Sequence, residues 1–113
     1  MATHILIVED DPLIAMDLEA IAREAGVEPT CCATVREAFA VLGAHHYALA
    51  LLDIDVPDGK TFPVAERLVE ARVPVYFVSA SRRIDIPSAL AAAPLLPKPY
   101  RVAELRSAIG AHA

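Results

Sequence analysis

Apolar and polar positions run along the chain in blocks of two different periods. Residues 5–8 are apolar without a break and rich in β-branched side chains, which predicts a strand covered on both faces. Asp11-Pro12 follows as a helix start, Asp11 as the N-cap and Pro12 in the first helical position. Ile14, Leu18, Ile21 and Ala25 then share one helical face, and Gly26 stops the helix. Residues 27–33 form a weaker strand, interrupted early by Pro29. A second helix starts at Thr34, where Glu37 three residues on completes a capping box. It turns Val35, Ala38, Phe39 and Leu42 inward and closes at Gly43. An apolar strand over 48–52 leads into a loop, 53–59, and a helix over 61–71. Residues 74–78 make a fourth strand, and a short helix is placed at 87–92. Leu95-Leu96 is a brief fifth strand. A last helix runs from Tyr100 with Val102, Leu105 and Ile109 inward, and residues 111–113 fray.

Five β-α repeats over such short connections favour a parallel sheet with helices on both faces. Right-handed crossovers then leave few topologies. The 113 residues suit one domain, taken as 1–113, and no repeat or linker interrupts them.

Composition narrows the function. The chain is 56% apolar and 22% charged, so disorder is excluded, and a formal charge of −5 disfavours nucleic acid and anionic lipid as partners. The start has no basic leader and no run reaches the length of a membrane span, which makes a cytoplasmic protein the expectation. Cys31 and Cys32 are adjacent, which suits free thiols on or beside a buried strand. His4, His45, His46 and His112 are assigned to surface or boundary positions.

In an open parallel sheet ligands collect beyond the carboxyl ends of the strands. Those ends carry Glu9-Asp10-Asp11, Asp53-Ile54-Asp55, Ser79-Ala80-Ser81 and Pro97-Lys98-Pro99. Clustered carboxylates need a cation, and all-oxygen donors favour a hard one such as Mg2+. An ammonium and a hydroxyl on the same rim add donors for phosphate oxygens, a set suited to phosphoryl transfer. Asp11 is set apart as a helix cap.

Together, the segments 7–12, 51–59, 74–80 and 98–100, in this order and spacing, resemble the receiver domains of bacterial two-component response regulators. The resemblance covers essentially the whole chain. It implies a flavodoxin-like three-layer α/β/α sandwich with a five-stranded parallel sheet in the order 2-1-3-4-5. It further implies that Asp53 is the phosphoacceptor, and that Glu9, Asp10, Asp53 and the Asp55 backbone carbonyl hold Mg2+. Ser79, the Ala80 N–H and Lys98 would bind phosphoryl oxygens. Asp55 and Ser81 occupy positions that tune hydrolysis, and Lys98–Pro99 is cis by the same resemblance. Leu95 departs from the family, which has an aromatic switch residue there. The stretch from Ser79 to Lys98 is short, so a short, displaced or mobile fourth helix is expected.

The function implied is a phosphorelay response regulator, a phosphoacceptor and not a turnover enzyme. Its partners would be a sensor histidine kinase or phosphotransfer protein and a downstream protein target, and a homodimer is compatible. Arg82 and Arg83, just after the hydroxyl strand, are candidates for the target contact. Two alternatives share parts of the pattern. One is a phosphorylation-independent scaffold, against which the intact Glu9, Asp10, Asp53, Ser79 and Lys98 speak. The other is a haloacid-dehalogenase-type phosphatase using Asp53 and Asp55, which leaves Glu9-Asp10 unexplained.

Overall fold

A computed structural model describes residues 2–80 and 85–112. Strands β1 (His4–Val8), β2 (Glu28–Cys32), β3 (Tyr47–Leu52), β6 (Val75–Ser79) and β7 (Leu95–Pro97) form one parallel sheet, in the order β2-β1-β3-β6-β7. This is the anticipated 2-1-3-4-5 order, with one addition. Within the loop after β3, Asp55–Val56 (β4) and Gly59–Lys60 (β5) pair as a small antiparallel hairpin. Two-residue strands carry no readable period, so the sequence pattern gives only a loop there.

Period-two alternation along the strands divides the core into two layers. Leu6, Val8, Leu52 and Phe77 point to one face and meet Ala38 of α2 (Val35–Val41) and Val64, Ala65 and Leu68 of α3 (Phe62–Glu70). Ile5, Ile7, Leu49, Leu51 and Val78 point to the other. There Leu18, Ile21 and Ala22 of α1 (Pro12–Glu24) and Leu105 and Ile109 of α4 (Val102–His112) cover them. Strands buried on both faces account for the unbroken apolar runs. Pro29 is accommodated because β2 is an edge strand.

The helix starts follow the sequence. The Asp11 side chain accepts from the Leu13 and Ile14 N–H groups. The Thr34 hydroxyl accepts from Glu37 N–H, and the Glu37 carboxylate accepts in return from Ala33 N–H and the Thr34 hydroxyl.

Several inward assignments are corrected. Phe39 is 38% exposed: neighbouring helix positions lie about 100° apart, and in a helix of seven residues Ala38 takes the inward direction. Val102, 42% exposed, is the first helical residue of α4 and lies in the groove beside α1. Ala25 is exposed at the C-cap of α1. The expected fraying end is helical through His112, whose ring shares a hydrogen bond of 3.1 Å with the Tyr76 hydroxyl. The helix placed at 87–92 is a 3-10 turn, Ser88–Leu90, because too few residues separate Pro87 from Pro94 for a longer helix. No helix among the described residues is long and apolar enough to cross a membrane.

Candidate functional site

Parallel register brings the strand ends together. Val8 lies opposite Leu52, Leu52 opposite Phe77, and Ser79 opposite Pro97. The ladder continues one step beyond the strands: Glu9 N–H donates to Cys32 C=O at 2.9 Å, Asp53 N–H to Val8 C=O at 2.8 Å, and Lys98 N–H to Ser79 C=O at 3.1 Å. Backbone pairing therefore fixes where the Glu9, Asp53 and Lys98 side chains begin. The sheet order reverses between β1 and β3, and that crevice holds Glu9 and Asp53.

Lys98 Nζ stands 2.6 Å from Glu9 Oε1 and 3.0 Å from Asp53 Oδ2. Glu9 and Asp53 are buried, while Asp10 is exposed at the rim. Among the described residues, Glu9, Asp10 and Asp53 form the group whose carboxylate oxygens converge, within 4.8 Å of one another. Glu9 Oε2 accepts from Asp11 N–H at 3.0 Å, which anchors that carboxylate. Glu9 Oε1 meets Lys98 by charge, but outside hydrogen-bonding angles, and is buried without a hydrogen-bond partner.

Burial raises the Glu9 carboxyl above its ordinary pKa, with Lys98 and the Asp11 N–H opposing and the Asp53 charge adding to the rise. Burial alone would lower the Lys98 ammonium. Close pairing with the Glu9 and Asp53 carboxylates and their negative charge outweighs that and holds it above the ordinary lysine value.

Three carboxylates against one ammonium leave two negative charges in excess, and one buried oxygen lacks a hydrogen-bond donor. An all-oxygen set of this kind fits a hard divalent cation.

The remaining predicted residues divide. Ser79 is buried at the end of β6, joined to Lys98 through the backbone, and Ala80 follows it exposed. The Lys98–Pro99 peptide is cis. The Asp55 side chain is exposed and paired with Lys60 across the hairpin. Leu95 is half-buried against the α2–α3 layer of the core. Ser81, Arg82 and Arg83 lie outside the described residues.

Two further residues position the site, and the sequence pattern does not single them out. The buried Thr61 hydroxyl donates to the Asp53 carbonyl at 2.5 Å, although Thr61 stands at the N-cap of α3 and its side chain does not cap that helix. Asp58 accepts from the Val35 and Arg36 N–H groups at 2.8 and 3.0 Å, so the turn of the hairpin caps α2. Asp58 is readable as a turn residue in Pro57-Asp58-Gly59, but not as a cap for a helix more than twenty residues earlier.

The histidines take no part in this rim. His4, His45, His46 and His112 line a cavity of about 590 Å3 at the opposite end of the sheet, where His4 and His45 stack 3.8 Å apart. Cys31 and Cys32 are free thiols on β2, pushed by burial up to about 12 and about 11, so their reactive thiolate forms are disfavoured.

Comparison with known proteins agrees with this geometry. The family described as the response regulator receiver domain matches residues 5–110. The transcriptional regulatory protein PmrA of Pectobacterium parmentieri is 30% identical over 112 residues, covering 95% of this chain and 50% of its own. The phyllosphere-induced regulator PhyR of Methylorubrum extorquens is 42% identical over 84 residues, covering 71% of this chain and 32% of its own. The chain thus spans half the length of one curated relative, and the match with the other covers about a third of that protein. Among solved structures, a CheY-like response regulator receiver domain protein from Methanospirillum hungatei JF-1 superposes with a TM-score of 0.85. It is 28% identical, over 98% of this chain and 93% of that one.

Proposed function

Since the chain belongs to the response regulator receiver domain family of two-component signalling, we propose that Asp53 is its phosphoacceptor, with residues 1–113 acting as one receiver unit. The donor is a phosphohistidine on a sensor histidine kinase or phosphotransfer protein. A carboxylate oxygen of Asp53 forms the new O–P bond as the P–N bond breaks, and the electron pair leaves with the imidazole. Lys98 pairs with one phosphoryl oxygen, and the Ser79 hydroxyl and Ala80 N–H receive another. These groups bind and orient the phosphoryl group, which is most of what such a transfer requires.

Glu9, Asp10, Asp53 and the Asp55 backbone carbonyl would hold Mg2+, which when bound neutralises charge on the carboxylates and phosphoryl oxygens. The product shifts a two-state equilibrium that a downstream protein reads, and the chain acts as an acceptor rather than a turnover enzyme. The observation that carries this reading is the single ammonium of Lys98 bridging Glu9 and Asp53 across three strand ends.

Intact-mass spectrometry with acetyl phosphate and Mg2+ tests it. The expected result is a gain of one phosphoryl group in wild type and none in Asp53→Asn. A gain that survives the substitution moves the acceptor elsewhere. No gain in folded protein favours a phosphorylation-independent scaffold.

A further inference from the structure

A groove at the far end of β6 has features that the phosphoryl site does not use. The end of α3, the start of β6, the 3-10 turn and the last turn of α4 enclose a cavity of about 440 Å3, a size typical of ligand sites. Val69, Val75, Leu90, Ala92 and Pro94 make its walls largely apolar, and Val69 is 46% exposed at the edge. The polar groups on it are Arg72 and the hydrogen-bonded Tyr76–His112 pair.

Arg72 is the one non-glycine residue with positive φ, 61°, among the described residues. The reason is local. Helices α1 and α3 end in the same way, each first residue past the C-cap turning left-handed. Gly26 N–H returns to Arg23 C=O and Val27 N–H to Ala22 C=O. Arg72 N–H returns likewise to Val69 C=O and Val73 N–H to Leu68 C=O. Glycine fits this position without a Cβ penalty, and the chain uses it after α1, where φ is 82°. After α3 it keeps an arginine instead. Strain retained at one position points to work done by its side chain. The Arg72 residue is exposed and makes no ion pair with any described residue. Glu70, two residues before it, lines a different cavity.

We propose that this groove binds a segment of a partner protein that presents an apolar side chain beside a carboxylate, with Arg72 pairing with the carboxylate. Charge complementarity selects the occupant. On a chain of net charge −5, the full charge among the described residues lining this groove is positive. The groove is also placed to be regulated, and this part rests on the phosphoacceptor reading above. Residues 89–94 belong to the segment joining Ser79 to Lys98, and Phe77 N–H holds the Pro94 carbonyl at 2.9 Å. An occupant therefore touches the connection between two phosphoryl-binding residues, and any coupling must act in both directions.

The test titrates 15N-labelled protein with two synthetic helical peptides of identical apolar face, one flanked by Glu and one by Lys. The Glu peptide is expected to shift the amides of Val69, Arg72, Val73, Tyr76 and Ala92, and to bind about tenfold more tightly than the Lys peptide. Arg72→Gly is expected to keep or raise the melting temperature, because glycine suits the backbone, while abolishing that preference. Equal binding of the two peptides, no shift with either, or a preference that survives Arg72→Gly overturns the proposal. So do shifts produced by octanoate alone, which make the groove a small-molecule site. Shifts that follow protein concentration without peptide make it a contact between copies, and they overturn the proposal too. Acetyl phosphate with Mg2+ is expected to change Glu-peptide affinity about fivefold, and not in Asp53→Asn. Unchanged affinity in labelled protein overturns the coupling. If Asp53 does not label, the Glu-over-Lys preference in unmodified protein still decides the groove, so the two readings fail separately.

Discussion

At the scale of single residues, Thr61 shows how Asp53 is held in place. Its hydroxyl is buried and donates to the Asp53 carbonyl, while its own N–H donates to the Ile54 carbonyl at 2.9 Å. One residue thus fixes two successive peptide groups, Asp53–Ile54 and Ile54–Asp55. Thr61→Val keeps the shape and removes the donor, leaving a buried carbonyl without this hydrogen bond. We expect a loss of about 1–2 kcal/mol in urea unfolding, together with slower labelling by acetyl phosphate. Equal stability and an equal labelling rate would show that the hydroxyl neither holds nor orients Asp53. Neither contact is visible in sequence, where Thr61 reads as a helix start. Its partner becomes apparent only when β3 and α3 are set side by side.

At the scale of elements, the hairpin after β3 acts as a clasp. Lys60 closes it onto Asp55, and Asp58 in its turn caps α2 through two N–H groups. These bonds favour the charged carboxylate and lower the Asp58 pKa below its ordinary value, first through Arg36 N–H and then through Val35 N–H. The sign follows from that direction. A carboxyl depressed in the folded state stabilises the fold above its unfolded pKa, and the contribution is lost as pH falls through the folded value. Protection of the Val35 and Arg36 amides against hydrogen exchange should therefore weaken below the ordinary carboxylate range in wild type. In Asp58→Asn, which lacks the charge, it should be weaker near neutrality and show no such loss on acidification. Matching profiles for the two proteins would remove Asp58 from the role of cap.

The helices show what local pattern does and does not supply. Asp11, Thr34 and Glu37 cap as their spacing predicts, because capping is decided within one turn. Phe39 turns partly outward because the contact face of a two-turn helix is chosen by the sheet beneath it. The turn at Ser88–Leu90 stays short because prolines bound it on both sides.

For the whole molecule, negative charge is the dominant theme. The chain carries −5 overall, and its rim gathers three carboxylates around one ammonium. Binding a divalent cation there should stabilise the fold by linkage. At a Mg2+ concentration ten times the dissociation constant the gain is about 1.4 kcal/mol. Thermal unfolding should then shift upward with Mg2+ in wild type and much less in Asp10→Asn, whose carboxylate is exposed and can be changed without opening the core. An equal shift in both proteins would mean that the ion acts elsewhere.

From sequence alone came the alternation of five strands with helices, the strand ends bearing Glu9, Asp10, Asp53, Ser79 and Lys98, and the caps of the first two helices. All of these depend on neighbours within a few residues, where periodicity and capping chemistry operate. Tertiary structure alone decided the Lys98 bridge between Glu9 and Asp53, the reach of Asp58 to α2, the grip of Thr61 on Asp53, and the gathering of four histidines at the far end of the sheet. Each joins segments whose separation in the chain is closed only when parallel strands pair in register, and the period of a single strand contains no information about which strand will lie beside it.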